Sequence, residues 1–170
     1  MKKIVIGLAA LFSVNLATGF AAPINDLNQG QTAIGIVMNN GDLDSDTFYL
    51  EHKFSKSFTL GLENTDFDRG GDIDDIYGQF NLNNNLRGIV GSRDYGHDSK
   101  FYLGLAATAP LAPAWDGYAS LVGNGDFKEL QLGANYQVAH NVDLNLNYRS
   151  INPDEGSSRN GFGFGASLKL

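Results

Sequence analysis

Three sets of residues have types and spacings that could do chemistry. Asp42, Asp44 and Asp46 alternate as the first ligands of a calcium loop do. Such a loop needs a glycine at its sixth position to turn the chain and a glutamate at its twelfth to close the coordination shell. Those positions hold Thr47 and Lys53, so the pattern fails. Asp66 and Asp68 start it again and meet Tyr77 at the twelfth place. These acids read as solvated carboxylates. The second set is the three histidines, His52, His97 and His140. A hydrolase needs a serine or activated water, an imidazole and an orienting carboxylate close together. His97 lies beside Asp98 and Ser99, and His140 falls in a turn far along the chain. The third set, Tyr148-Arg149-Ser150, has a serine without a nearby histidine. No residue is assigned as catalytic, cofactor-binding or metal-ligating, and the sequence predicts no enzyme and no cofactor. There is no cysteine, so neither disulfides nor thiolate metal chemistry is available.

The elements that would position these residues read as strands. Apolar and polar residues alternate in runs of about ten, separated by turn residues, as a barrel requires. Ten runs are predicted, at 30–38, 46–54, 57–65, 74–82, 86–94, 100–109, 114–122, 127–138, 142–151 and 161–170, with eight as the alternative count. In the last run Phe162, Phe164, Ala166, Leu168 and Leu170 alternate with Gly161, Gly163, Gly165, Ser167 and Lys169. In 142–151, Val142, Leu144, Leu146 and Tyr148 alternate with Asp143, Asn145, Asn147 and Arg149. The early runs are less regular. His52 falls in phase with Phe48, Leu50 and Phe54, which calls for either a bulge or a place at a membrane interface.

The chain opens with Lys2 and Lys3, an apolar run from Ile4 to Val14 and the small-x-small site Gly19-Phe20-Ala21. This predicts a signal peptide over 1–21, cut after Ala21, and a single mature domain over 22–170. The apolar run is too short to span a bilayer as a helix. Losing Lys2 and Lys3 leaves ten basic residues against 19 acids. That balance excludes nucleic acid as a partner, since phosphate binding needs a basic face. A mean hydropathy of −0.20 is compatible with a membrane barrel, in which only alternate residues face lipid.

Two alternating sets of connections follow. Ser55–Ser57, Asn83–Asn85, Ala109–Pro113 and Ala139–Asn141 contain no carboxylate. The other set carries or borders Asp42, Asp44, Asp46, Asp66, Asp68, Asp72, Asp74, Asp75, Asp94, Asp98, Asp126, Asp154 and Glu155. Because outer-membrane barrels have short periplasmic turns and longer external loops, the acidic set is expected on the outer rim. Aromatic residues gather near both ends of the strands: Phe54, Phe58, Phe80, Trp115 and Tyr136 at the turn side, and Phe48, Phe67, Tyr95, Phe101, Phe127, Tyr148 and Phe162 at the loop side. Two such belts are what membrane interfaces select. The face opposite the apolar one carries Glu51, Lys53, Glu63, Arg87, Arg93, Asp116, Glu129, Asp143, Arg149 and Lys169, five acids and five bases. That balance predicts ion pairs across a plugged or very narrow lumen.

The segments Leu130-Gln-Leu-Gly-Ala-Asn-Tyr136, Val142-Asp-Leu-Asn-Leu-Asn-Tyr-Arg-Ser-Ile151 and Gly161-Phe-Gly-Phe-Gly-Ala-Ser-Leu168 resemble the YfaZ family of bacterial outer-membrane proteins, over the last third to half of the chain. The resemblance implies an outer-membrane barrel and brings no catalytic residues. Such barrels commonly end in Phe or Trp, and this chain ends in Leu170. The expected fold is all-β, an antiparallel up-and-down transmembrane barrel. The expected role is structural or surface-interactive, with at most a narrow pore. Expected partners are outer-membrane lipid and lipopolysaccharide, divalent cations at the acidic loops and the barrel assembly machinery. The alternatives are a soluble, lipocalin-like periplasmic ligand-binding barrel, which shows the same period with its apolar face inward, and a lipid-modifying enzyme.

Overall fold

The computed structural model describes residues 22–68 and 71–170. The predicted signal peptide lies outside the described residues. Ten strands form: β1 Thr32–Gly41, β2 Ser45–Lys53, β3 Phe58–Phe67, β4 Gly71–Asn81, β5 Leu86–Asp94, β6 Ser99–Ala112, β7 Trp115–Gly123, β8 Phe127–Ala139, β9 Val142–Pro153 and β10 Arg159–Lys169. Each pairs antiparallel with its sequence neighbours, and β1 pairs with β10 to close the barrel. Closure removes both sheet edges, so the backbone donors and acceptors along the wall are paired. The predicted count of ten holds, and the eight-strand alternative does not. β4 starts three residues earlier than predicted and β6 runs three residues later.

The period-2 pattern sets which face each side chain takes. Ile36, Met38, Phe48, Leu62, Ile76, Leu103, Leu146 and Phe164 face outward and are exposed, forming an apolar band around the wall. Glu51, Glu63, Arg87, Arg93, Glu129, Asp143 and Arg149 are buried inside. β2 pairs with β3 without a register break, so His52 needs no bulge. It faces outward at the turn end, its ring 4.5 Å from Phe54 and its Nδ1 2.9 Å from Thr32 Oγ1. Of the two options, the bulge is excluded.

Three expectations are corrected. The loops at the acidic end are barely longer than the turns at the other end, because the strands continue through segments read as loop. Asp42–Asp44 and Asn124–Asp126 connect strands there, against Phe54–Ser57 and Pro113–Ala114 at the turn end. Asp66 and Asp72 consequently lie on strands, as Asp46, Asp74 and Asp94 do within the predicted runs. Asp75 is inside the barrel rather than at the rim, since its neighbours Asp74 and Ile76 take the outward positions. Phe67 and Phe127 also point inward and are buried, and Tyr95 lines the loop-end opening, leaving Phe48, Phe101, Tyr148 and Phe162 on the outer face at that end.

The lumen is filled by a repeated cross-strand device. Tyr49 stands opposite Gly35, Tyr77 opposite Gly61, Tyr102 opposite Gly91 and Tyr118 opposite Gly133. Each ring lies across its glycine, where a Cβ would overlap it. The missing side chain thus gives an aromatic ring room to lie flat in a narrow tube.

Candidate functional site

The lumen holds the chain's densest polar constellation, in two stacked networks. Towards the loop end, Arg93 on β5 donates from Nε to both oxygens of Asp75 on β4, at 3.1 and 3.0 Å. Its Nη1 donates to Glu129 Oε2 on β8 at 2.7 Å. The other oxygen of Glu129 accepts from Arg149 Nε on β9, also at 2.7 Å. Glu129 therefore bridges two guanidinium groups, and all three side chains are essentially without solvent contact. Arg93 also lies over the Phe127 ring, 4.5 Å from its centroid, a desolvated cation–π contact. Glu63 on β3 lies in the field of Asp75, Glu129, Arg93 and Arg149, and accepts from Thr65 Oγ1 at 3.2 Å.

Towards the turn end, Glu51 on β2 is the hub. It accepts from Gln79 Nε2 at 2.6 Å, Tyr77 Oη at 3.1 Å and Asn25 Nδ2 at 2.8 Å. Arg87 joins Gln79 Oε1 at 3.0 Å to the Asn25 carbonyl at 2.8 Å. On the far wall Asn145 donates to Asn135 Oδ1 and Tyr118 Oη, and Lys169 pairs with Asp143 at 2.7 Å. The ten charges predicted to face inward take that face; Asp116 does so at the open turn-end mouth, where it is exposed.

One component was not legible as part of this site. Residues 22–27 precede β1, fold back and run up into the barrel from the turn end. Ala22, Ile24, Asn25 and Leu27 are buried. Asn135 Nδ2 donates to the Ile24 carbonyl at 3.0 Å, and the Ala22 nitrogen reaches Glu63 Oε2 at 2.9 Å. The only sequence signal is Ile24 and Leu27, two apolar residues in a segment with no strand partner. Buried charges are tolerated where geometry pairs them. The peg and the two networks fill the lumen with such pairs, while Arg149 Nη1 and Nη2 and Tyr102 Oη make no hydrogen bond.

Above the upper network the barrel opens into a vestibule of about 540 Å³. Arg93 and Phe127 contribute to its lining, and Tyr95, Ile151 and Pro153 add apolar surface. Lys100, Arg159, Asp72, Asp126 and Glu155 bring both signs of charge to it. The residues of types suited to catalysis do not converge. Ser99 Oγ donates to Asp94 at 2.7 Å, not to His97. His52 sits outside the barrel wall, and His140 sits in the turn between β8 and β9. Arg149 of the Tyr148-Arg149-Ser150 segment is committed to Glu129. Among the described residues no group of three or more His, Asp or Glu side chains could enclose a metal ion.

No known family model matches the chain, and no curated protein matches it. Solved structures similar to it are barrels. The N-terminal β-barrel domain of Pseudomonas aeruginosa OprF is 12% identical with a TM-score of 0.48, over 84% of this chain and 98% of its own. The NanC porin is 11% identical with a TM-score of 0.45, over 82% and 100%. A de novo designed transmembrane β-barrel is 13% identical with a TM-score of 0.45, over 86% and 100%. These likenesses are of barrel form, and no residue role is carried over from them.

Proposed function

We propose that the chain is an outer-membrane β-barrel of the YfaZ-like kind, with a structural or surface-interaction role and a lumen closed to general diffusion. The observation that carries this reading is the inversion of polarity across the wall. Leu103 is 70% exposed, Phe164 54% and Leu146 52%, while Arg93 and Arg149 are buried inside. A band of that kind is stabilised by lipid and penalised by water. The turn-end aromatics Phe58 and Phe80, with centroids 4.9 Å apart, and the loop-end pair Tyr148 and Phe162, at 5.2 Å, fit two interfacial belts. The same reading puts the acidic end outermost, where Asp46, Asp66, Asp72 and Asp74 would share divalent cations with lipopolysaccharide phosphates. It also makes the assembly machinery for such barrels a partner.

Membrane fractionation with a heat-shift gel tests the membrane reading. The barrel is expected in the outer-membrane fraction, folded and unfolded forms migrating apart, and a soluble monomer without a heat shift would overturn it. Planar-bilayer recording tests the closed lumen. No steady conductance is expected, and a large stable one would refute closure. For the cations, a chelator is expected to lower the unfolding temperature in lipopolysaccharide-containing vesicles and to leave it unchanged in neutral detergent. Equal behaviour in both would remove the cation role.

A further inference from the structure

The upper lumenal network is one positive charge short. Glu63, Asp75 and Glu129 bring three carboxylates, and Arg93 and Arg149 bring two guanidinium groups. Among the described residues, the ion pairs join Arg93 to Asp75 and Glu129, and Arg149 to Glu129; none reaches Glu63. In the lower lumen Arg87, Lys53 and Lys169 face Glu51, Asp26 and Asp143. The fourth carboxylate there, Asp116, is exposed at the open mouth and is solvated rather than buried. An unpaired carboxylate at the buried centre of a barrel would be costly. The group that meets Glu63 is the backbone nitrogen of Ala22, at 2.9 Å, at the tip of the peg. Ala22 is also the residue that follows the small-x-small site Gly19-Phe20-Ala21.

The chemistry of that nitrogen depends on processing. In the uncut chain it is a neutral amide. Hydrolysis of the Ala21–Ala22 peptide bond adds one water, leaves a carboxylate on Ala21 and frees an amine on Ala22. An α-amine with an ordinary pKa of about 7.7–8.0 is largely protonated at neutral pH. We propose that the mature α-ammonium of Ala22 is the missing cation of the network, paired with Glu63, so that cleavage after Ala21 creates the group that locks residues 22–27 inside the barrel as a plug. Three further contacts hold the peg below its tip: Asn135 to the Ile24 carbonyl, Arg87 to the Asn25 carbonyl, and Asn25 to Glu51. They fix the register that brings the nitrogen level with Glu63. The proposal needs cleavage at that bond and does not depend on which membrane the barrel occupies.

The test uses the processed protein purified from cells and folded in detergent micelles. N-terminal sequencing is expected to read Ala-Pro-Ile-Asn. An amine-acylating reagent is then applied to folded and urea-unfolded protein. The α-amine is expected to react at least about tenfold more slowly in the folded state, while the exposed Lys56 and Lys128 react alike in both. Glu63→Gln is expected to erode the protection of the α-amine. Two residues inserted between Ala21 and Ala22 are expected to abolish it, and adding Glu63→Gln to that insertion should lower the unfolding midpoint no further. A different mature N-terminus would overturn the proposal, as would an α-amine labelled equally fast in both states. So would Glu63→Gln acting undiminished on the inserted chain. If Glu63→Gln does not fold, the labelling ratio of the unaltered protein decides.

Discussion

Replacing Glu129 tests the central claim that the lumen is held by a continuous buried ion network. Each oxygen of Glu129 accepts one charged hydrogen bond of 2.7 Å, from Arg93 and from Arg149. Bonds to charged groups contribute about 1.5–3 kcal/mol each, so two set a ceiling near 6 kcal/mol. Arg93 keeps its contact with Asp75 after the change, which lowers the loss on that side. Arg149 has no such reserve, because its Nη1 and Nη2 make no hydrogen bond and only its Nε is engaged. Glu129→Ala is therefore expected to destabilise by about 3–5 kcal/mol, the usual cost of stranding a buried charge. Asp126→Asn is the surface control. Asp126 lies 3.6 Å from Lys100, their side chains 62% and 36% exposed, so less than about 1 kcal/mol is expected. The assay is urea unfolding from lipid vesicles, followed by the fluorescence of Trp115, the single tryptophan. In a double-mutant cycle, Glu129→Ala with Arg149→Met should cost clearly less than the sum of the two single changes. Strict additivity, or a Glu129→Ala effect no larger than that of Asp126→Asn, would refute the network argument.

Two further outcomes follow from the packing. Gly61→Ala places a methyl group on the Tyr77 ring and is expected to cost about 1–3 kcal/mol by overpacking. Gly88→Ala, whose nearest neighbour is Leu82 at 3.9 Å, should stay within about 0.5 kcal/mol; equal effects in urea titrations would show that the tyrosines do not depend on their glycines. Leu146→Arg at the middle of the apolar band should cost about 2–4 kcal/mol in vesicles, and Asp66→Arg at the rim, among Asp46, Asp68 and Asp72, clearly less. Equal unfolding midpoints for those two variants would contradict the placement of the band. Asn145 is not a neutral comparator for Leu146, because it is buried and donates to Tyr118 and Asn135 in a filled lumen.

Much of the wall was legible because strand period is a local property. Leu130, Leu132 and Ala134 against Glu129, Gln131 and Gly133 assign both faces of β8 from one segment. What depended on two segments at once was not legible. Tyr77 gives no sign in its own strand that it will lie across Gly61, since the pairing is set by the register between β3 and β4. Asp75 was hidden by its company. It lay within the predicted run 74–82, but at the start of that run and among Asp72 and Asp74 it was grouped with the rim acids, although the alternation of β4 turns it inward. The peg escaped for a third reason. Residues 22–27 have no repeat and no ladder partner, and their position depends on side chains of β2, β5 and β8 that the fold brings together.

The polarity inversion also constrains how the chain can fold. In water, the half-exposed leucines and phenylalanines of the wall would favour collapse into an apolar interior, at about 25 cal/mol per Å² buried. That collapse would strand the lumenal charges among them, because Glu129, Arg93 and Arg149 satisfy one another only when β5, β8 and β9 are in register. Lipid removes the first incentive without supplying a competing site for the charges. On the proposed membrane reading, the network and the band are compatible in a closed barrel within an apolar solvent. The tyrosine–glycine pairs reinforce this, since each ring needs the neighbouring strand's glycine opposite it. A slip of one residue would turn the charges into lipid and the leucines into the lumen. Ion pairs between strands distant in sequence, such as Arg93 with Glu129, therefore contribute most as register constraints. They hold the wall in the one alignment that keeps the charges inside and the apolar band outside.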